Sequence, residues 1–302
     1  MKHITSVIAL LLVLVSSAVF AEANRDLSQQ TEHNNSGYQS DYYCGTETQL
    51  GISFNYCIRN VDRTKNKDIV YFFHGLMGDE QSWFTQKFGT GMVERKWHFR
   101  GYDPTVITIS FGEVWLLVNN HRFPLLPYFK DIIVPLLEKK VGGLGKGRRM
   151  LIGQSMGGLN ALEAALQLPN LFSKVALLCP AITTVGPFAS QDEIDAYIQR
   201  TGANPKNVKL MLSISKKVFI NQNDWDKHDP LKLVSRYHGR KPEFYNSIGM
   251  QDDFGFQEGA EKFSKLAAKY GFKSQWVPLQ GGHCNFDRRT TANFIMEGYK
   301  ND

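Results

Sequence analysis

The chain lacks internal repeats, a sustained heptad and a collagen-like period, which excludes solenoids, coiled coils and fibrous architectures. It also lacks a dense basic face. Its 35 Lys+Arg and 29 Asp+Glu are scattered, apart from the short runs Lys65 to Lys67 and Gly145 to Arg149. A net charge of +6 spread in this way describes a solvated surface, not a nucleic-acid partner. A phosphate loop is absent too. Gly142-Gly143-Leu144-Gly145-Lys146-Gly147 has the glycines, but Lys146 precedes Gly147 where a phosphate loop has Ser or Thr, and no strand feeds it. What the chain does contain is ample apolar material, 42% hydrophobic and 12% aromatic over 302 residues, enough for a sizeable core in an α/β domain.

The apolar run Ile4 to Val15 is too short for a comfortable membrane span. It follows Lys2 and leads into Ser16-Ser17-Ala18-Val19-Phe20-Ala21, the layout of a secretory signal peptide over residues 1–21, cut after Ala21 with Ala23 as the alternative. No cysteine stands at that boundary, which argues against a lipid anchor. The mature form is then expected to be secreted or periplasmic, with no integral membrane segment. Residues 22–41 form a polar flexible segment, and residues 42–302 the folded domain. Export permits disulfides among Cys44, Cys57, Cys179 and Cys284. Cys44 and Cys57 flank an early strand turn and could pair, and four free thiols are the alternative. Cys284 beside His283 invites a cysteine-nucleophile reading, but neighbours in a chain rarely face each other as nucleophile and base.

Along the chain, Gln49 to Arg59 alternates as a strand with Leu50, Ile52, Phe54, Tyr56 and Ile58 on one face. Continuous apolar strands follow at Asp68 to Phe73, Thr105 to Gly112, Met150 to Ile152 and Lys174 to Pro180, the pattern of a parallel sheet covered on both faces. Two further strands are Glu243 to Gly249 and Ser274 to Leu279. Tyr128 to Lys140 reads as a helix with Ile132, Ile133, Leu136 and Leu137 inward. Val114 to Val118 could line an acyl pocket or fill core, and core is the default. Residues 181–241 hold helical patterns at Asp192 to Arg200 and Val208 to Ile220 and read as a cap insertion, in which Phe188 and Trp225 are pocket-lining candidates against a default of ordinary packing.

The chemistry centres on Gly153-Gln154-Ser155-Met156-Gly157-Gly158. This G-x-S-x-G lies between an apolar strand and a helical run through Leu159, Leu162, Ala165, Leu166 and Leu168 that stops at Pro169-Asn170. A sharp strand-to-helix turn needs small residues on either side of the central one, and it lifts the serine hydroxyl clear of the sheet. The six residues resemble the nucleophile elbow of the α/β-hydrolases. A hydroxyl needs a base, an orienting acid and an oxyanion site. His283 follows the last strand after Gly281-Gly282, and Asp252 lies three residues past Gly249, with Asp253 and Asp224 competing for the acid. The carboxyl ends of parallel strands share one rim, so these loops can meet the serine, and Ser155, Asp252, His283 stand in α/β-hydrolase order. His74-Gly75-Leu76-Met77-Gly78 follows the first buried strand, where that fold supplies an oxyanion N–H. The Leu76 and Met156 amides are therefore the candidate oxyanion donors, and His74 a structural loop residue.

Together with Asn223-Asp224-Trp225 and Asp229-Pro230, these motifs look like the esterase D-like family, which includes S-formylglutathione hydrolases, feruloyl and enterochelin esterases and mycolyl transferases. The resemblance spans roughly Asp68 to Arg288. It implies an α/β-hydrolase fold and a serine carboxylesterase cleaving a small-molecule, lipid or sugar ester or thioester without cofactor or metal. The export signal departs from cytosolic members and points away from a glutathione thioester. The alternatives are an acyltransferase of the mycolyl-transferase kind, a non-catalytic binding protein on the same fold, and a serine peptidase, although nothing in the sequence favours an amide. The signal reading has a direct check. N-terminal sequencing of the exported protein should begin at Glu22, or at Asn24 for the alternative cut, and a mature chain that retained Lys2 would refute it.

Overall fold

The structure, a computed structural model, describes residues 41–85 and 90–299. The expected signal peptide, residues 1–21, and the polar segment up to residue 40 lie outside the described residues. The chain divides into two units. Residues 48–52 fall with the leading segment, and residues 40–47 and 53–302 form the body that carries the site.

Strands β1 (Tyr42–Gln49), β2 (Ile52–Arg59), β3 (Ile69–Phe73), β4 (Thr105–Ser110), β5 (Arg149–Gln154), β6 (Lys174–Leu178), β7 (Glu243–Gly249) and β8 (Ser274–Leu279) make one eight-stranded sheet in the order β1-β2-β4-β3-β5-β6-β7-β8. β2 is antiparallel to β4, and every pairing from β4 through β8 is parallel. Every residue of β3, β4 and β6 is buried, as their unbroken apolar character requires. The mostly parallel sheet flanked by helices is the expected α/β-hydrolase fold. The first hairpin differs from expectation. Leu50 and Gly51 take positive φ (52° and 77°) and form the tight turn between β1 and β2. Leu50 is 83% exposed and shares no strand face with Phe54 and Ile58.

The helices are α1 (Gly91–His98), α2 (Leu125–Tyr128), α3 (Val134–Lys140), α4 (Met156–Gln167), α5 (Gln191–Thr201), α6 (Pro205–Val218), α7 (Gln222–His228), α8 (Pro230–Leu233), α9 (Phe256–Lys269) and α10 (Arg288–Met296). A π turn, Phe129–Ile133, joins α2 to α3. Pro135 has no N–H for the carbonyl four residues back, so the helix widens there. The register turns with it, leaving Ile133 and Leu137 buried and the expected inward residues Ile132 and Leu136 only half-buried. One core cluster contains Phe72, Trp83, Trp97, Tyr102 and Ile152, with the Trp83 and Trp97 rings stacked at 5.7 Å. Trp97 Nε1 donates to the Ala292 carbonyl at 3.0 Å, tying α1 to α10.

Between β6 and β7 the chain forms α5 to α8. Ser190 and Glu193 close a capping box at the start of α5, and Gly202 (φ 72°) ends that helix. Asn204 caps α6, with Pro205 in its first turn, and Asn221 caps α7. Ile220 lies past the end of α6 and donates its N–H to Asp224 Oδ2 at 2.9 Å. This segment is held to the elbow helix by a buried ion pair, His228 Nδ1 of α7 to Glu163 Oε2 of α4 at 3.0 Å. Asp224 Oδ1 lies 3.8 Å from the other ring nitrogen.

Burial lowers the His228 pKa, but the bond and charge of Glu163, with Asp224, outweigh it and the net shift is upward. Burial likewise raises Glu163, against the counter-pull of His228. Both shifts mean that the native state holds protons more tightly than the unfolded chain. The His228 share of the stabilisation is therefore complete below the ordinary histidine value of about 6.5 and declines as pH rises through its raised native value, while the Glu163 share is complete only below the ordinary glutamate value of about 4.3. Urea unfolding between pH 6 and pH 8 should show this decline in the parent and a shallower one in His228→Ala. That variant should also lose roughly 3 to 5 kcal/mol at pH 6, because it strands the buried Glu163. Equal slopes in the two proteins would refute the assignment.

Candidate active site

The turn from β5 into α4 is set by backbone crowding. A β-carbon on Gly157 would sit 2.0 Å from the Phe73 carbonyl oxygen, and one on Gly153 would sit 2.2 Å from the Gly157 carbonyl oxygen. Only glycine allows β3, β5 and α4 to cross this closely. Ser155 between them adopts φ 52° and ψ −116°, a conformation that non-glycine residues rarely take. Three hydrogen bonds over-determine it: its N–H donates to Leu178 O (2.9 Å), and its carbonyl accepts from Gly158 (2.9 Å) and Ala181 (2.9 Å).

The parallel register brings the other loops to the same rim. Phe73 lies opposite Gly153, Leu178 opposite Gln154, and Gly249 opposite Leu279. His283, past β8, has Nε2 2.9 Å from Ser155 Oγ and Nδ1 2.7 Å from Asp252 Oδ2. Asp252, past β7, is 1% exposed, and its second oxygen accepts the Phe254 N–H at 2.9 Å. The rival acids stand elsewhere. Asp253 is exposed and accepts from Asn207 Nδ2 at 2.7 Å, while Asp224 accepts from Asn120 Nδ2 at 3.0 Å and from Ile220. Phe254 and Phe256 lie against the His283 ring, with centroids 4.8 and 5.7 Å away.

Burial lowers the His283 pKa, but the charge and hydrogen bond of Asp252, with the charge of Asp253 added, overcome it and the net shift is upward. The cationic form of this ring is therefore stabilised by the carboxylate beside it.

On the oxyanion side, a β-carbon on Gly75 would stand 3.2 Å from the Ser155 β-carbon, so the loop after β3 lies directly beside the serine. Neither the Leu76 N–H nor the Met156 N–H donates to an acceptor among the described residues. His74 is 1% exposed and holds this loop. The Trp115 indole donates to its Nε2 at 2.9 Å, which makes Nε2 an acceptor, so Nδ1 carries the proton and donates to Gly75 O at 2.8 Å. Its pKa is lowered, chiefly by burial. Trp115 to Val118 are buried, the core role, and Asn160 of α4 pins them by bonds to Leu117 N (2.8 Å) and Trp115 O (3.1 Å). Trp225 packs edge-on against Phe219 at 4.9 Å, and Phe188 is half-buried.

All four cysteines are paired, Cys44 with Cys57 and Cys179 with Cys284, so the four-thiol alternative does not hold. The second bridge was not expected, and no spacing in the sequence singles out Cys179 as the partner of Cys284. Cys179, His283 and Cys284 cluster closely enough to suggest a metal site, as do Asp252, Asp253 and His283. The two sulfurs are bonded to each other, and both His283 nitrogens are engaged, so neither group offers a free ligand set.

The family model described as "Putative esterase" matches residues 45–291. Among solved structures the fold is similar to a ferulic acid esterase (16% identity, TM-score 0.63, covering 86% of this chain and 97% of the other). It is similar also to an S-formylglutathione hydrolase from Agrobacterium tumefaciens (13%, 0.55, 86% and 94%) and to an esterase from Pyrobaculum calidifontis (16%, 0.59, 85% and 84%). Identities this low speak to the fold alone. No curated protein sequence matches the chain.

The two histidines of the rim should titrate apart. In an NMR titration of the ring nitrogens, His283 should protonate above the ordinary histidine value and His74 below it. His74 should remain the Nδ1–H tautomer at neutral pH. The reverse order would remove the electrostatic description of the rim.

Proposed function

Because this chain belongs to the Putative esterase family, we propose that it is a serine carboxylesterase working through an acyl-enzyme, with Ser155 as nucleophile, His283 as base and Asp252 as the orienting acid. The observation that supports this reading is the continuous relay of 2.9 and 2.7 Å from Ser155 Oγ through His283 to Asp252. Ser155 Oγ attacks the ester carbonyl carbon while its proton passes to His283 Nε2. The carbonyl oxygen, now anionic, takes hydrogen bonds from the Leu76 and Met156 N–H groups, each worth roughly 3 to 4 kcal/mol where such a donor has been removed elsewhere. The tetrahedral species collapses, the C–O bond to the alcohol breaks, and His283 returns the proton to the departing oxygen. Water then repeats the sequence on the acyl-enzyme and releases the acid. Asp252 keeps Nδ1 protonated and stabilises the imidazolium throughout.

Two further features support this reading. Pairing of all four cysteines suits an oxidising compartment and agrees with export through the N-terminal signal. The segment between β6 and β7 reads as a cap, since its residues hold the acid loop: Asn204 N donates to Asp253 O at 2.8 Å, and Tyr197 Oη to Phe254 O at 2.9 Å. Small-molecule esters are the substrate class.

With a short-chain p-nitrophenyl ester, Ser155→Ala should lower kcat by a factor on the order of a million. Asp252→Asn should cost about ten-thousand-fold by favouring the wrong imidazole tautomer. Asp253→Asn should stay within a few-fold of the parent, and a larger loss there than in Asp252→Asn would reassign the acid.

A further inference from the structure

The loop that carries His283 is exposed and rich in glycine, so few side chains anchor it. Gly281, Gly282 and Asn285 are exposed, and Gly281 takes φ 104°. Upstream of the histidine the loop is tied to the β7 extension by Gln251 N to Gly281 O at 2.9 Å. Downstream, the backbone next meets a strand at Asp287, whose N–H donates to Ser247 Oγ at 3.1 Å. The ring itself is braced by Asp252 and by Phe254 and Phe256, while the main chain beneath it is held by hydrogen bonds alone, from Gly281 N to Gln251 Oε1 and from Asn285 N to Gly282 O at 3.3 Å. Cys284, the next residue, is the covalent exception. It sits at positive φ (59°) and is bonded to Cys179, 105 residues away in sequence.

The far end of that bridge is rigid and belongs to the nucleophile's own surroundings. Cys179 is fully buried directly after β6, also at positive φ (46°), and its N–H donates to Ser247 O at 2.7 Å. The next residue, Pro180, packs where a β-carbon on Gly158 would sit, 2.7 Å from its own Cα. Ala181 N–H then donates at 2.9 Å to the carbonyl of Ser155. Residues 179–181 therefore touch the nucleophile turn with one end and are bonded to the histidine's neighbour with the other. We propose that Cys179 and Cys284 are positioning residues, whose disulfide locks the His283 backbone to the Ser155 turn and so sets the serine-to-imidazole distance. This deepens the triad reading and rests on it. The Cys44–Cys57 bridge, at the opposite edge of the sheet, has no such path and serves as the control.

The experiment compares Cys179→Ala/Cys284→Ala, Cys44→Ala/Cys57→Ala and Ser155→Ala with the parent, as mature proteins whose fold is checked by circular dichroism. The readouts are kcat, KM and the pH profile of kcat/KM. Loss of the brace should lower kcat on the order of 100-fold, the effect of misplacing a reacting group by about 1 Å, with KM nearly unchanged. The acid limb of the profile should also shift down towards the ordinary histidine value, because His283 drifts from Asp252. The Cys44→Ala/Cys57→Ala protein should keep the parent's kcat and limb. If the Cys179→Ala/Cys284→Ala protein does not fold, dithiothreitol reduction of the folded Cys44→Ala/Cys57→Ala protein, set against the same protein left oxidised, removes the Cys179–Cys284 bridge alone and gives the same comparison. A kcat within twofold of the parent and an unmoved limb would overturn the brace while leaving the triad standing. Activity retained in Ser155→Ala would instead overturn the triad reading itself.

Discussion

The contact that the rest of the site depends on is the near collision of backbones where α4 leaves the sheet. With the Phe73 carbonyl oxygen 2.0 Å from where a Gly157 β-carbon would stand, the helix begins almost on top of β3. A chain that turns this sharply cannot leave the residue at the apex in an ordinary conformation, and Ser155 accordingly takes a positive φ. Its hydroxyl then points away from the sheet at the rim where the parallel strands end. The same crowding sets the Gly75 loop beside it and starts α4 with an N–H, that of Met156, unused within the helix. The raised serine and the free amide beside it are thus consequences of one packing event.

Around this point most buried polar groups are hydrogen-bonded, although Gln154 Oε1, beside the serine, has no partner among the described residues. Asp252 accepts from both His283 and Phe254, so neither of its oxygens is left without a partner in the interior. His74 lies as deep, but its neighbours are an indole donor, a hydroxyl and a carbonyl in place of a carboxylate, so burial keeps it neutral. Two histidines at one rim therefore do opposite work, one ready to become cationic and one locking a loop. His228 and Glu163 extend this logic outward by fastening the α5 to α8 segment to the elbow helix. The acid loop is gripped from that segment as well, through Asn204, Asn207 and Tyr197.

Much of this was legible in one dimension because it depends on local patterns. Unbroken apolar strands and the glycines around Ser155 follow from burial on both faces of a sheet and from backbone sterics, while the order of Ser155, Asp252 and His283 was readable through the α/β-hydrolase resemblance. That was enough for the fold class, the elbow and the candidate histidine. The acid was less determined. Asp252 and Asp253 are adjacent, and the side that each presents depends on the turn after β7 and on Asn207 waiting to take Asp253. Leu50 was misassigned because a two-residue turn with positive φ is decided by the pairing of β1 with β2, and β1 carries no strong apolar signal.

The sequence by itself determined that a serine would be raised on a strained turn in a parallel α/β fold, since crowding between covalent neighbours leaves little choice there. Only the tertiary structure decided what surrounds that serine. The Cys179–Cys284 bridge, the Trp115 bond to His74 and the His228–Glu163 pair join residues between 41 and 105 positions apart. Contacts of that kind are set by how strands order themselves in the sheet, and no local periodicity encodes that order. The elbow was therefore readable from its own residues, and its supports were not.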